Sequence, residues 1–198
     1  MTNYGKLMEK RRSVRILNDK MPISMDEVVE RLKEVAELSP NAFLMQEIHL
    51  LVLTGDNHVK LWNKIIHDEL QKVAPAEVFP RTEIKLDMFA KGAGTVLIFQ
   101  DMDRVEEFKK KFALYADEME NWSQQDAGIV LANMWNSLTE AGVGATIQHY
   151  NPLINEAVAK EFDIPKNWLL NGQLVFGGIV SLPGDREGKS GDEMVEVR

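Results

Sequence analysis

Apolar and polar positions along the chain follow two rhythms, and each predicts a different kind of element. Val28, Val29, Leu32, Val35 and Ala36 recur at helical intervals. Ahead of them Ser24 and Glu27 stand at capping-box spacing, and Pro40 closes the run. An amphipathic helix is therefore expected between Pro22 and Pro40. Ala127, Val130, Leu131, Met134, Leu138 and Ala141 line one face of a longer helix over residues 124–141, ended by Gly142. Shorter helices are expected over residues 4–10, 58–73, 103–115 and 154–162. Residues 48–53, 95–100, 144–148 and 170–180 are compact apolar runs that read as strands. Residues 74–81, with two prolines, read as a loop able to act as a lid. Helices and strands mix without a strict βαβ cadence, and no repeat or linker divides the chain. The expectation is an α+β fold with a central sheet, one domain over residues 1–198.

Composition narrows the function. The chain carries 23 Lys and Arg against 31 Asp and Glu, a formal net charge of −8. That argues against general nucleic-acid binding, which needs a broad basic face. The absence of cysteine excludes disulfides, thiolate metal sites and a Cys nucleophile. His49, His58, His67 and His149 show no metal-ligand spacing, so no metal is expected. His58 and His67 read as exposed helix positions, and His49 as a strand position. No apolar run approaches the roughly 20 residues of a membrane span, and Met1 to Gly5 leads into charged residues. These features suggest a soluble cytoplasmic protein.

Candidate chemistry is sparse. Gly92-Ala93-Gly94 and Gly142-Val143-Gly144 leave the dinucleotide fingerprint incomplete and precede strands instead of following them. No Walker sequence or G-x-S-x-G occurs. What stands out is Arg11-Arg12-Ser13-Val14-Arg15, a cationic turn in an acidic chain. Guanidiniums present forked donors that match phosphate oxygens, and Ser13 adds a compact hydroxyl. Taken alone, the turn is read first as solvated arginines paired to some of the 31 acidic residues, and only a second, independent match overturns that.

Further blocks decide between the two. After the Arg turn come Ser39-Pro40-Asn41-Ala42-Phe43-Leu44-Met45-Gln46, residues 89–97 (FAKGAGTVL), Phe112 to Asp117, Trp122-Ser123, and residues 142–154 (GVGATIQHYNPLI). Ile164-Pro165, Trp168 and Phe176-Gly177 follow. In this order the blocks resemble the nitroreductase family of FMN-dependent oxidoreductases, and most of all the short-chain branch named after the fatty acid repression mutant protein. The resemblance implies a nitroreductase-like fold, with a mixed, mainly antiparallel sheet flanked by helices, and an intertwined homodimer with FMN at its seam. It implies hydride transfer from NADH or NADPH through the flavin to a nitroaromatic or quinone-type acceptor, with no obligatory side-chain acid or base. Arg11, Arg12, Ser13 and Arg15 match cofactor-binding positions, with Arg15 stabilising charge on the flavin ring. Pro40, Asn41, Ala42 and Gln46 match positions that meet the flavin, the first three from the partner subunit. Gln148 and His149 match the strand along the ring. Arg186 matches a late cation on the phosphate, with Lys189 as its rival. Leu44 and Met45 replace the family's usual polar Asn-Ser pair and are assigned with Tyr150 to the substrate pocket. An alternative is a flavin-binding regulatory protein in lipid or redox signalling, with little turnover.

Overall fold

The computed structural model describes residues 1–198. The first helix, α1 (Asn3–Lys10), is capped by Thr2, whose hydroxyl accepts the Gly5 N–H at 3.0 Å. A short strand, β1 (Ile16–Asn18), leads to α2 (Met25–Leu38). Ser24 caps α2 as its spacing predicts, accepting the Glu27 N–H at 3.1 Å. The next elements are β2 (Ile48–Thr54) and a helical stretch made of α3 (Gly55–Lys60), a π-helical turn (Leu61–Ile66) and α4 (His67–Val73). Then come α5 (Phe79–Ala90), β3 (Gly94–Asp101), α6 (Met102–Lys111) and the long α7 (Met119–Glu140). The chain ends with β4 (Gly144–Gln148), α8 (Asn155–Glu161), β5 (Trp168–Ser181) and a tail.

The sheet runs β1-β5-β3-β2, with β4 also paired to β5. All these pairings are antiparallel, and the one parallel contact is an isolated bridge between Ser13 and Ala145. At 14 residues, β5 is long enough to pair β3 along one edge and β4 and then β1 along the other. Gly177 and Gly178 make the β1 side possible. A Cβ on Gly178 would sit 1.9 Å from the Lys20 carbonyl oxygen, so only glycine lets that backbone pass.

Both faces of the sheet are apolar. On β3, Val96 and Ile98 enter one core with Val28, Leu32, Val130, Met134 and Leu138, while Leu97 and Phe99 enter another with Trp62, Leu86, Phe89 and Ile154. This is the period-two alternation of a strand covered on both sides. A small third cluster joins Met45, Val105, Phe108 and Met119.

His58 departs from expectation. It is 1% exposed, not on a solvated face. Its Nδ1 pairs with Thr95 Oγ1 at 2.9 Å and its Nε2 with the Phe89 carbonyl at 3.1 Å, while Trp62 Nε1 donates to the same Thr95 oxygen at 2.9 Å. A carbonyl accepts only, so Nε2 carries the proton and Nδ1 accepts from threonine. Burial pushes the His58 pKa down to about 4.

Candidate active site

Beyond α1 the chain turns extended. Arg11 has φ −67° and ψ 118°, and the Val14 N–H bonds the Ala145 carbonyl at 3.0 Å. In an extended segment alternate side chains share a side. Val14 is buried, and Arg12 lines a groove with it, its guanidinium donating to the Gly184 carbonyl. Arg11 and Ser13 line a different groove, of about 650 Å³, with Trp135 and Asn136 of α7, Ile147 of β4 and Arg186 of the tail. Arg12, expected at the cofactor beside Arg11 and Ser13, has its side chain turned to a different groove by this alternation.

Arg186 is held by the end of α1. Its Nη2 donates to the carbonyls of Met8, Glu9 and Arg11 at 3.2, 3.5 and 2.9 Å. Helix-end carbonyls lack intrahelical partners, which is why a guanidinium seats there. The latch brings a second cation to Arg11, whose guanidinium lies 4.4 Å from the Trp135 ring centroid. Burial, then Arg186, then Arg12, hold the Arg11 pKa below the ordinary guanidinium value. None of the chain's ion pairs involves Arg11, Arg12, Arg15 or Arg186. Trp135 Nε1 and Asn136 Oδ1 are buried with no hydrogen-bond partner. Two guanidiniums and a hydroxyl line the groove, a donor set suited to an anion with several oxygens, such as phosphate. Lys189 does not line this groove, whereas Arg186 does.

A second cationic point lies near Arg15. Lys85 of α5 places its ammonium 5.5 Å from the Phe89 ring centroid and 5.7 Å from that of Tyr150. Partial burial and then the Arg15 charge lower its pKa. Sequence reasoning missed Lys85, because a lysine on an amphipathic helix looks like any solvated one. Tyr150 is half-buried, its backbone N–H bonds Gln173 Oε1 at 2.8 Å, and burial pushes its phenol pKa up to about 12. Gln148 uses its amide locally, on Thr146 Oγ1 at 3.3 Å and the Ile147 carbonyl at 2.6 Å, and His149 is exposed.

The Pro40–Gln46 segment lies across α7 from the groove. Asp126 accepts the Ala42 N–H at 2.9 Å, and Asn133 Nδ2 bonds Ser39 Oγ at 2.9 Å. Asn41 Oδ1 accepts the Gln46 N–H at 3.1 Å. Gly128, Leu131, Ala132 and Trp135 wall the groove from another stripe of the helix. Within the single chain, then, the two groups of expected flavin contacts are not brought together. Leu44 is 72% exposed, and Phe43 stacks on Phe112 at 4.3 Å beside Tyr115 and Trp122. Met45 corrects an expectation: it is fully buried against Val105, Phe108 and Met119, so it packs the core and does not line a pocket. A thioether chain fills such a gap well.

A larger groove, about 730 Å³, opens beside His58 and is lined by Asp19, Asp56 and Lys91. It lacks an uncompensated cation cluster.

Fold and groove together define the class: an α+β sandwich with an uncompensated cationic site. The Nitroreductase family model matches residues 8–178. CinD from Lactococcus lactis, solved with chloramphenicol, superposes with a TM-score of 0.90 at 40% identity, covering 99% of this chain and 100% of that one. The same protein with 4-nitrophenol gives a TM-score of 0.89 at 41% identity. The nitroreductase FRM2 of Saccharomyces cerevisiae is 27% identical over 186 residues, 93% of this chain and 92% of its own. A nitroreductase with bound FMN from Desulfitobacterium hafniense shares the fold at a TM-score of 0.75 and 14% identity, covering 100% of both chains. The chain belongs to the nitroreductase family and is an oxidoreductase. No helix is long and apolar enough to cross a membrane.

Proposed function

We propose that the protein is an FMN-dependent oxidoreductase that takes hydride from NADH or NADPH and reduces nitroaromatic or quinone-type acceptors. The observation that carries this reading is the cation pair Arg11 and Arg186, set in a groove with the Ser13 hydroxyl and no carboxylate. A phosphate removed from water needs fixed cations and hydrogen bonds, and Arg11, Arg186 and Ser13 line this groove. Arg11, Ser13 and Arg186 would hold the FMN phosphate. Arg15 and Lys85 would lie towards the ring, beside Tyr150. FMN, when bound, supplies the redox centre. The chain's part is to orient it and to set positive charge where reduction adds negative charge. Tyr150 keeps its phenolic proton at neutral pH and can donate it in a hydrogen bond.

The reading includes a homodimer and takes residues 1–198 as one domain. On α7, Gly128, Ile129 and Ala132 are exposed, as are Tyr4 and Met8 on α1. A helix apolar on its outer face as well as its inner one is usually covered. A second copy packed there would bring its Pro40–Ala42 segment to the groove that α7 separates from the chain's own. Leu44 and Phe43 would then meet an aromatic acceptor. The complexes of CinD with chloramphenicol and 4-nitrophenol support that acceptor class. The FMN-bound relative supports the cofactor.

Purified protein should be yellow, or become so with added FMN, and should bleach under anaerobic NADH or NADPH. A flavin that binds but does not bleach would favour a regulatory flavoprotein. Protein that takes up no FMN refutes the proposal.

A further inference from the structure

Beneath the Pro40–Gln46 segment lie two carboxyl groups and no free cation. Glu47 is 0% exposed, and neither carboxyl oxygen has a hydrogen-bond partner. Asp126 of α7 is 4% exposed and its carboxylate holds the Ala42 N–H. The elements around Glu47 supply no counter-charge. From α7, Ser123 accepts Gln100 Nε2 at 2.8 Å. From β3, Asp101 bonds the Glu47 carbonyl through its backbone N–H at 2.8 Å, while its carboxylate caps α6 and accepts from Asn167. Arg104 of α6 is engaged by the Met45 carbonyl at 2.9 Å and by Glu107 at 2.7 Å. Asn171 of β5 bonds Gln100. Two carboxyls buried side by side without a cation do not both ionise at neutral pH. The Ala42 N–H favours charge on Asp126, whereas the Glu47 N–H and Ser123 oppose the deeper burial of Glu47 without outweighing it, which assigns the proton to Glu47. Burial first, and the Asp126 charge with it, raise the Glu47 pKa, and burial raises that of Asp126.

We propose that Glu47 is a positioning residue: carried neutral beside the Asp126 anion, it holds the Pro40–Gln46 segment in the shape that meets the flavin. The inference rests on the cofactor reading above. The segment needs holding. Phe43, Leu44 and Gln46 have φ of 53°, 56° and 54°, a left-handed backbone that non-glycine residues seldom adopt. It is fixed by the Ala42 N–H on Asp126, the Gln46 N–H on Asn41, Arg104 on the Met45 carbonyl, the Phe43–Phe112 stack and the buried Met45 side chain. Ionising Glu47 sets two uncompensated negative charges against each other. Relief comes when the Glu47 side chain reaches water, and Gln46, its chain neighbour, moves with it. Glu47 contacts no reacting atom and acts only through the segment.

The test is FMN binding by flavin-fluorescence quenching from pH 6 to 9, paired with chymotrypsin cleavage at Phe43 and Leu44 in the FMN-free protein. Wild type, Glu47→Gln and Asp126→Asn are compared. As Glu47 ionises with rising pH, wild type should bind FMN about tenfold more weakly, the effect of losing one fixed contact, and cleavage should rise in step. Glu47→Gln, neutral throughout, should match wild type at pH 6 and keep affinity and resistance at pH 9. Asp126→Asn should bind more weakly at every pH. Parallel profiles for wild type and Glu47→Gln overturn the proposal. So does a flat wild-type profile in both assays, which needs no variant to fold. If no FMN binds at any pH, the cofactor reading fails on its own. Cleavage then still decides: a pH rise in wild type that Glu47→Gln abolishes supports the positioning role, and no difference refutes it.

Discussion

Lowering the pH should destabilise this protein through His58. The imidazole is neutral in the fold, with a pKa near 4, against about 6.5 in an unfolded chain. The folded value is the lower one, so between pH 6.5 and 4 the unfolded state binds more protons. Stability is fully present above pH 6.5 and is lost as pH falls through that window. The whole displacement corresponds to about 3 kcal/mol, of which about 2 kcal/mol is lost between pH 7.5 and 5. For a chain of this length that lowers Tm by about 4–8 °C. Other groups titrate nearby. His67 has a raised pKa, from Glu83 first and Asp68 second, and so stabilises as pH falls. Glu47 and Asp126 do likewise. His49, lowered by burial, acts with His58. The measurement is therefore a difference: Tm against pH for wild type minus that for His58→Gln. The curves should converge by about 2 kcal/mol between pH 7.5 and 5. Imidazole NMR on wild type gives a direct check, since His58 should remain neutral at pH 5.5. Parallel melting curves, or an imidazole that titrates near pH 6.5, would refute the reasoning.

Arg11→Ala should weaken FMN binding about 10- to 150-fold, the loss of one charge-assisted hydrogen bond or pair, read by fluorescence titration. Arg15→Ala should instead lower the flavin midpoint potential while binding changes less, read by spectroelectrochemistry; equal, negligible effects of both would sink the division of roles. Gly178→Ala should cost about 3 kcal/mol, because its Cβ would collide with the Lys20 carbonyl, and thermal melts should show it. Ile129→Glu should shift the sedimentation profile towards monomer and lower FMN uptake together; a variant that stays dimeric would count against the α7 face as the seam.

Much of the fold is legible in the chain because it is periodic. The alternation at Val96 to Phe99 reappears as two opposed cores, and the Ser24 cap begins α2 where its spacing says. Elements without local rhythm were not legible. β1 is three residues long and exists only because β5, some 160 positions later, pairs with it. α5 hides behind Pro80, which breaks a helix interior but is tolerated in a first turn, where its N–H is not needed. The site divides in the same way. The Arg turn announces itself by charge density, and the family blocks place it. Which of its side chains share a groove follows from an extended backbone that pairs with Ala145, a contact no spacing encodes. His58 and Glu47 look like surface residues in sequence. Only the fold shows one fully satisfied and the other without any partner.

Arg186 sits 175 positions from the Arg11 carbonyl that it grips. A ribosome that has released residues up to Ser181 has delivered every strand of the sheet, yet the groove still lacks one of its guanidiniums. On the proposed reading, a chain without Arg186 and the residues after it would keep every strand while binding FMN poorly.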